Sequence, residues 1–175
     1  MLEKYRYSET NKRKILDSIV YLIDTREKKI DHIINLFEKH NLPYMKRKLD
    51  YGDYSFYIPK NPELGIFEDM YFDHEVIIER KANLEELSQN LTKLRQQFKH
   101  EMSMAPARKV LLIENNNYSD LVRHNYDTQY DQEYYLDTLH RYSWRYGFHF
   151  FFINKDDTAR YIKRYFETYV KEMLR

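Results

Sequence analysis

The segment VIIERKANLEEL at 76–87 joins a buried-strand pattern to three consecutive charges and then to a helical pattern. Val76, Ile77 and Ile78 are apolar and β-branched, which predicts a buried strand over 75–79. Glu79, Arg80 and Lys81 follow directly. The plainest interpretation is that the strand ends and its charges are solvated. The alternative is that this strand end carries chemistry, and the rest of the sequence has to decide between the two.

The elements around this segment alternate between strands and helices. The helix after it repeats leucines at spacings of three and four, which predicts one continuous helix over 84–102. A turn signal at 50–53 separates two strands. Repeated helices between strands predict an α/β fold with a mixed central sheet and helices on both faces. The predicted strands are 18–24, 44–49, 54–58, 75–79, 109–114 and 148–153, and the other helices are 28–40, 131–145 and one that begins at Asp156 as its N-cap.

Composition excludes several classes of protein. Hydrophobic residues make up 42% and charged residues 33% of 175 positions, as in one globular domain. Without cysteine there is no disulfide scaffold or thiolate metal site, and no apolar run is long enough to span a membrane. The polar start is not a secretory signal, so we expect an intracellular protein, cytoplasmic in a prokaryote or phage. The net charge is only +1, although basic residues gather at 93–109.

Three acidic residues stand where predicted strands begin or end. Asp24 follows the first strand, Asp53 precedes the third and Glu79 closes the fourth. Carboxylates that meet at one edge of a sheet raise one another's pKa values unless a cation compensates, and oxygen ligands suit Mg²⁺ or Mn²⁺. Lys81 lies two positions after Glu79, which places both side chains on one face of a strand. Two acids, a metal ion and a lysine are the groups that phosphodiester hydrolysis needs. In a chain that is one-third charged, however, such a spacing often occurs by chance.

The combination of motifs is far more specific than its parts. IDTREKK at 23–29, YGDYSF at 51–56 and IIERKANLEEL at 77–87 resemble, in this order, the XPF-type structure-specific endonuclease domain, which also occurs in the archaeal nuclease Hef. The stretches NLTKLRQQF at 90–98 and KVLLIE at 109–114 fit the next helix and strand of that family. The resemblance implies a restriction-endonuclease-like fold and a nuclease that cuts DNA with Mg²⁺ or Mn²⁺.

The resemblance also assigns roles to the matching residues. Asp53 and Glu79 would be the main metal ligands, with the carbonyl of Arg80 as another. Asp24 would lie beside the metal, directly or through water, and Lys81 would position the attacking water. Arg26 and Arg80 would contact phosphate or brace the acidic cluster, and Glu27 would hold part of that network. The supporting or DNA-contacting residues would be Arg26, Glu27, Arg80, Glu85, Lys93 and Gln97.

The sequence departs from the family pattern at several positions. Glu85 stands where the motif ends in aspartate, and Lys93 stands where arginine is usual. The stretch between the two acidic motifs is long, so 59–74 is expected to form a hairpin or loop near the site. We expect a basic arm over 1–17 and a single nuclease domain over 18–175, without the helix-hairpin-helix module that family members usually carry.

The expected partners are DNA and a second nuclease domain. The family pairs through its C-terminal helices, so a homodimer or heterodimer is expected there, with packing on the chain's own sheet as the alternative. Trp144 is expected in the core, with a platform on which bases stack as the alternative. Two other functions stay open: a catalytically silent partner that binds DNA or pairs with an active nuclease, and a restriction or junction-resolving nuclease of the same fold. The candidate dimer residues are Tyr165, Tyr169 and Met173.

Overall fold

A seven-stranded sheet with helices on both faces makes up the molecule. The structure is a computed structural model, and it describes residues 6–175. No helix in that part of the chain is long and apolar enough to cross a membrane. The elements are α1 (Glu9–Asp17), β1 (Val20–Ile23), α2 (Asp31–Lys39), β2 (Tyr44–Lys46), β3 (Tyr54–Ile58), a 3-10 turn (Pro62–Leu64), β4 (Met70–Tyr71), β5 (Val76–Lys81), α3 (Leu84–Leu91), α4 (Arg95–Met104), β6 (Arg108–Glu114), α5 (Tyr118–Val122), α6 (Gln132–Tyr146), β7 (His149–Ile153) and α7 (Lys155–Met173).

Strand direction determines which residues meet. The strand order is β2-β1-β3-β5-β6-β7, and β4 pairs with β3. β1 runs parallel to β2, and β5, β6 and β7 run parallel to one another. β3 is antiparallel to both β1 and β5. The carboxyl ends of β1, β5, β6 and β7 and the amino end of β3 therefore lie along the same edge of the sheet, where open α/β sheets bind ligands.

The sheet separates two hydrophobic cores. On one face, side chains such as Val76 and Ile78 of β5 pack against α1, α2 and α7. On the other face, Leu111 and Ile113 of β6 pack against α3, α4 and α6. The predicted mixed sheet with helices on both faces is confirmed. α1 belongs to the first core, because Ile15 is fully buried there. The predicted arm over 1–17 thus includes a packed helix, and residues 1–5 lie outside the described part of the chain.

The helix predicted over 84–102 is wrong in one respect, because it is two helices. α3 ends at Leu91 and α4 begins at Arg95. The hydroxyl of Thr92 donates to the carbonyl of Ser88 at 2.7 Å. This side-chain bond to the preceding turn competes with the helical hydrogen bonds and bends the chain. The leucine pattern alone could not show the break, because both halves bury their apolar face in the same core.

Other differences concern pairing and boundaries. The turn at 50–53 does not join neighbouring strands, because β1 lies between β2 and β3. The insertion at 59–74 contributes β4, which pairs at the Ile58 end of β3. That end lies away from Asp53, so the expectation of a loop near the site is wrong. α7 is capped by Asn154 and not by Asp156, since the Asn154 side chain accepts from the backbone N–H of Asp156 at 3.0 Å.

Candidate catalytic edge

Gly52 brings the loop before β3 into contact with β5. Its φ of 69° lies in the left-handed region. A Cβ atom there would lie 2.8 Å from Cδ1 of Ile77, so only glycine allows this approach. The next backbone N–H, that of Asp53, donates to the carbonyl of Ile78 at 2.9 Å. The turn therefore delivers the Asp53 carboxylate beside the end of β5.

Asp53, Glu79 and Lys81 meet at this point, and we call them the candidate catalytic triplet. Oδ2 of Asp53 accepts from the backbone N–H of Arg80 at 2.7 Å. Glu79 and Lys81 alternate with Arg80 along β5 and so share one face of the strand. Nζ of Lys81 donates to Oε1 of Glu79 at 2.5 Å, and both side chains are about nine-tenths buried. β5 thus continues through the three charges and does not fray into solvent.

The charges of the triplet depend on one another. Burial raises the pKa of Asp53 well above its usual range, and the neighbouring carboxylates of Glu79 and Glu27 raise it further. Burial favours the neutral amine of Lys81, yet Glu79 and Asp53 outweigh that effect and raise the pKa of Lys81. Because the lysine is the only cation within the triplet and there are two carboxylates, an added cation would relieve the remaining repulsion.

The triplet offers donors that suit a small divalent cation. Mg²⁺ in proteins is commonly held by one or two carboxylates together with several waters. Asp53 and Glu79 supply two such carboxylates, so the donor set fits. Within residues 6–175, no group of three or more histidine, cysteine, aspartate or glutamate side chains could hold a metal ion. A site here would therefore be a two-carboxylate site, with the carbonyl of Arg80 as a predicted further ligand.

Asp24 occupies the same edge but is engaged elsewhere. Its Oδ1 accepts from the backbone N–H and Nε of Arg26, and its Oδ2 accepts from the backbone N–H of Leu49 and Nη2 of Arg26. Burial would raise the pKa of Asp24, but these hydrogen bonds lower it. Four bonds occupy the accepting positions of a carboxylate. In this structure Asp24 fixes the loop before β3, and its predicted role beside a metal would have to act through water.

Arg80 points to the opposite face of β5 and braces the edge from behind. Its Nε donates to Oε1 of Glu27 at 2.6 Å, and its Nη1 donates to Oε2 of Glu114 at 2.7 Å. Nη2 donates to the carbonyl of Lys28 at 3.1 Å. The Arg80 side chain is 4% exposed. Of the two expected roles, phosphate contact and bracing of the acidic cluster, its contacts therefore fit bracing. Its backbone N–H meanwhile orients Asp53, which links the two faces.

Sequence reasoning missed the residue that completes this network. Glu114 ends β6, is 1% exposed, and joins β5 to two helices. Its Oε1 accepts from the hydroxyl of Thr158 at 2.5 Å and lies 2.9 Å from Nε2 of His32. The signal was available, because Glu114 is an acid at the end of a buried strand, as Glu79 is. His32 and Thr158 carried no signal, because their helices are remote in sequence.

The remaining predicted residues flank the edge at different distances. Arg26 and Glu85 line a cavity of about 470 Å³ beside Arg80. The Arg26 side chain is 60% exposed, and Oε1 of Glu85 accepts from the backbone N–H of Asp127 at 2.8 Å. Lys93 is exposed in the turn between α3 and α4, and Nε2 of Gln97 donates to Oε1 of Glu101. The structure therefore gathers Arg26 and Glu85 at the edge, and places Lys93 and Gln97 farther along the helices.

Two expectations concern aromatic residues of α7 and α6. Tyr165, Tyr169 and Met173 are partly buried and pack against the chain's own core, while a dimer seam formed by them stays a prediction. Tyr169 also donates its hydroxyl to Glu75 at 2.8 Å. The expectation that Trp144 lies in the core is wrong, because its side chain is 88% exposed. It projects from α6, whose buried side is formed by Tyr135, Leu139 and Tyr142.

The fold and the charged edge together define a class: an α/β domain of the XPF nuclease type. Residues 23–165 match the family described as the ERCC4 domain. The chain belongs to the ERCC4 domain family, which confirms the resemblance to XPF-type nuclease domains.

Solved structures show the same fold at low sequence identity. XPF from Aeropyrum pernix superposes with a TM-score of 0.62 at 14% identity, covering 86% of this chain and 61% of that one. XPF from Aeropyrum pernix in complex with DNA gives a TM-score of 0.60 at 15% identity, covering 87% of this chain and 66% of that one. This chain thus spans under two thirds of their length. A search of curated proteins found no match.

Proposed function

We propose that this chain is an Mg²⁺- or Mn²⁺-dependent DNA endonuclease that hydrolyses phosphodiester bonds in branched, flap or fork DNA. The products would carry 5′-phosphate and 3′-hydroxyl ends. The observation that carries the proposal is the candidate catalytic triplet, in which two carboxylates and a lysine meet on one face at a sheet edge of an ERCC4 domain.

Asp53 and Glu79 would hold the cation. When bound, a divalent cation supplies an acidified water and stabilises negative charge on the phosphate oxygens. Asp53 is already oriented for this by the backbone N–H of Arg80, and Glu79 by its ion pair with Lys81. These contacts hold both carboxylates at the edge before a cation binds, and preorganisation of this kind contributes much of the catalytic power of enzymes.

Lys81 would orient the attacking water and stabilise charge on the reacting phosphate. Its raised pKa means that it stays protonated at neutral pH, as both tasks require. An ammonium group has three donors, and one of them is used by Glu79. Oε1 of Glu86 lies 4.0 Å from the same nitrogen, beyond hydrogen-bond distance, so a water or phosphate oxygen that takes another donor would enter beside Glu86.

DNA would approach across the exposed cations beside the triplet. Arg26 is mostly exposed and stands at the cavity next to Arg80; farther away, Lys93 is exposed in the turn between α3 and α4, and the polar Gln97 is exposed on α4. Phosphate contacts of this kind orient a nucleic acid without reading its sequence. A relative of the same fold was solved in complex with DNA, which supports this partner.

The test is cleavage of single strand, duplex, 3′ flap, fork and four-way junction with Mg²⁺ or Mn²⁺. We expect Asp53→Ala and Lys81→Ala each to lower the cleavage rate by about 10²-fold or more, the size of loss typical for removal of one transition-state contact. Lys60→Ala, which removes an exposed lysine just beyond the end of β3 that lies away from Asp53, is the matched control and should cut like the wild type. Equal rates for all variants would place any activity elsewhere.

A catalytically silent DNA-binding or pairing partner is the second candidate. Two observations favour it: Lys81 already contacts Glu79, and no group of three metal-ligating side chains occurs in the part of the chain that the structure describes. Calorimetric titration with Mn²⁺ separates the two. Binding that disappears in Asp53→Ala and Glu79→Ala supports the nuclease, and absence of binding supports the silent partner. The substrate series above also separates flap cleavage from junction resolution or restriction.

A dimer through the C-terminal helices is part of the same proposal. Arg160, Arg164 and Lys171 of α7 are exposed, so a seam there would add charged contacts to those of the partly buried tyrosines. The molar mass measured by light scattering at low and high salt would test it. A dimer held by such contacts should dissociate as salt increases.

A further inference from the structure

A basic and aromatic surface on α4 and α6 is not used by the catalytic edge. It consists of Arg95, Lys99, Arg141, Trp144 and Arg145, and we call it the α4–α6 face. All of them except Trp144 are cations, and all except the half-buried Lys99 are exposed. The acid next to it, Asp137, is already paired with Arg141.

Contacts with one buried tyrosine hold the two helices of this face together. Nε of Arg95 donates to the hydroxyl of Tyr142 at 2.8 Å, and Nζ of Lys99 lies 5.8 Å from the centre of the same ring. Arg145 follows Tyr142 by three residues on α6, which places them side by side on the helix. Both cations of α4 therefore contact a residue of α6 that lies one turn before Arg145.

Trp144 distinguishes this surface from an ordinary solvated one. An indole that is 88% exposed leaves a large apolar ring in water, next to Arg145 and three residues after Arg141 on the helix. Aromatic rings interleaved with cations are the arrangement that binds single-stranded nucleic acid, since bases stack on the rings and phosphates meet the cations. Paired bases inside a duplex are already stacked and leave no face for the indole.

The position of the face suits an arm of the proposed substrate. The hydroxyl of Tyr135 donates to the carbonyl of Leu84, which places the start of α6 beside the start of α3, three residues after Lys81. From Tyr135 to Tyr142 the helix advances by about 10 Å. The Trp144 end of α6 therefore lies about 10 Å along the helix from the part that contacts α3, so a strand bound there would extend away from the catalytic edge.

We infer that the α4–α6 face binds an unpaired strand of DNA, by stacking of a base on Trp144 and phosphate contacts from Arg95, Lys99, Arg141 and Arg145. The inference rests on the proposed function for the identity of the nucleic acid. It adds what that function lacks, a surface that distinguishes a branched substrate from a plain duplex.

Trp144 is the only tryptophan of the chain, so it reports on its own contacts. The test is quenching of tryptophan fluorescence in the full chain on titration with a thymidine oligonucleotide, without divalent cation so that no cleavage occurs. We expect quenching by the single strand and little by a duplex of the same length. Trp144→Ala should weaken binding of the single strand by about ten- to a hundredfold, measured by anisotropy of a labelled oligonucleotide. Trp144→Phe should retain most of the affinity.

Controls separate stacking and charge from general effects. Phe67→Ala removes another exposed aromatic ring, 74% exposed in the 59–74 insertion, and should bind like the wild type. Arg95→Ala and Arg145→Ala should each reduce the slope of log affinity against log salt by about 0.7, and Arg13→Ala on α1 should leave it unchanged.

Three results would overturn the inference: no quenching by the single strand, equal quenching by the duplex, or unchanged affinity in Trp144→Ala. Quenching by anionic vesicles but not by DNA would also overturn it, in favour of a membrane surface. If no DNA is cleaved but the quenching and the Trp144→Ala loss are seen, the nuclease proposal fails and the single-strand surface stands.

Discussion

Glu114→Ala tests whether the network behind the catalytic edge stabilises the fold. The change removes three partners at once: the 2.7 Å bond from Arg80, the 2.5 Å bond from Thr158 and the 2.9 Å contact with His32. Arg80 would keep Glu27 and the carbonyl of Lys28, but its buried charge would lose one of two carboxylates.

The expected loss in the free energy of unfolding is large because the ion pair between Arg80 and Glu114 is buried away from water. Breaking a buried ion pair by removing one partner costs about 3–5 kcal/mol, against a total stability of about 5–15 kcal/mol for a typical domain. For a chain of this size that corresponds to a fall in Tm of roughly 6–20 °C. Glu114→Gln keeps the shape and one accepting oxygen, so we expect about 2 kcal/mol, the value of a hydrogen bond to a charged group.

Urea unfolding followed by circular dichroism measures these free energies. Glu172→Ala is the matched control, because Glu172 pairs with Arg175 at 2.9 Å while 54% exposed, and exposed pairs contribute about 1 kcal/mol or less. A Glu114→Ala variant within about 1 kcal/mol of the wild type would refute the reasoning. So would a full-sized loss when Glu114→Ala is made in an Arg80→Ala background, since the effect is argued to act mainly through Arg80.

Three further predictions concern the turn, the acid beside it and the cation. Gly52→Ala should lower the free energy of unfolding by about 2 kcal/mol or more in urea unfolding, since it adds a clash with Ile77 to the cost of a positive φ. Gly65→Ala, with φ of 73° and open space around it, should cost only about 1 kcal/mol, and equal losses would contradict the clash. Asp24→Asn should destabilise the protein most above about pH 4. The lowered pKa of Asp24 contributes stability that is present above the unfolded-state pKa and is lost as pH falls through the folded-state pKa. The difference in urea-unfolding free energy between wild type and variant should therefore shrink below about pH 4. Mn²⁺ at a hundred times its Kd should stabilise the wild type by about 2.7 kcal/mol in thermal unfolding, and chelation should reverse this; an equal shift in Asp53→Asn would place the ion elsewhere.

Much of the catalytic edge was predictable because buried strands and the charged residues at their ends have local sequence patterns. The apolar run 76–78, the turn Gly52-Asp53 and the charges that follow each carry their own pattern, and their order matched a family. The helix break after Leu91 and the lack of a β2–β3 pairing were not predictable, because both depend on which neighbours the segments meet.

The side-chain roles divide in the same way. The spacing of Glu79 and Lys81 placed them on one strand face, and the structure has them in contact. The same spacing places Arg80 on the other face, but its partner Glu114 is 34 residues away and becomes visible only in the fold. Asp24 looked equivalent to Asp53 in sequence. Its surroundings differ, since Arg26 and the loop at Leu49 occupy its oxygens.

The sequence by itself determined the alternation of strands and helices, the charged strand ends and the family. These follow from local periodicity and from motifs a few residues long. Only the tertiary structure decided which partners occupy each acid, which arginine is buried as a brace, and that Trp144 faces solvent. Those outcomes depend on contacts between residues far apart in the chain, and no local pattern contains the energy of such contacts.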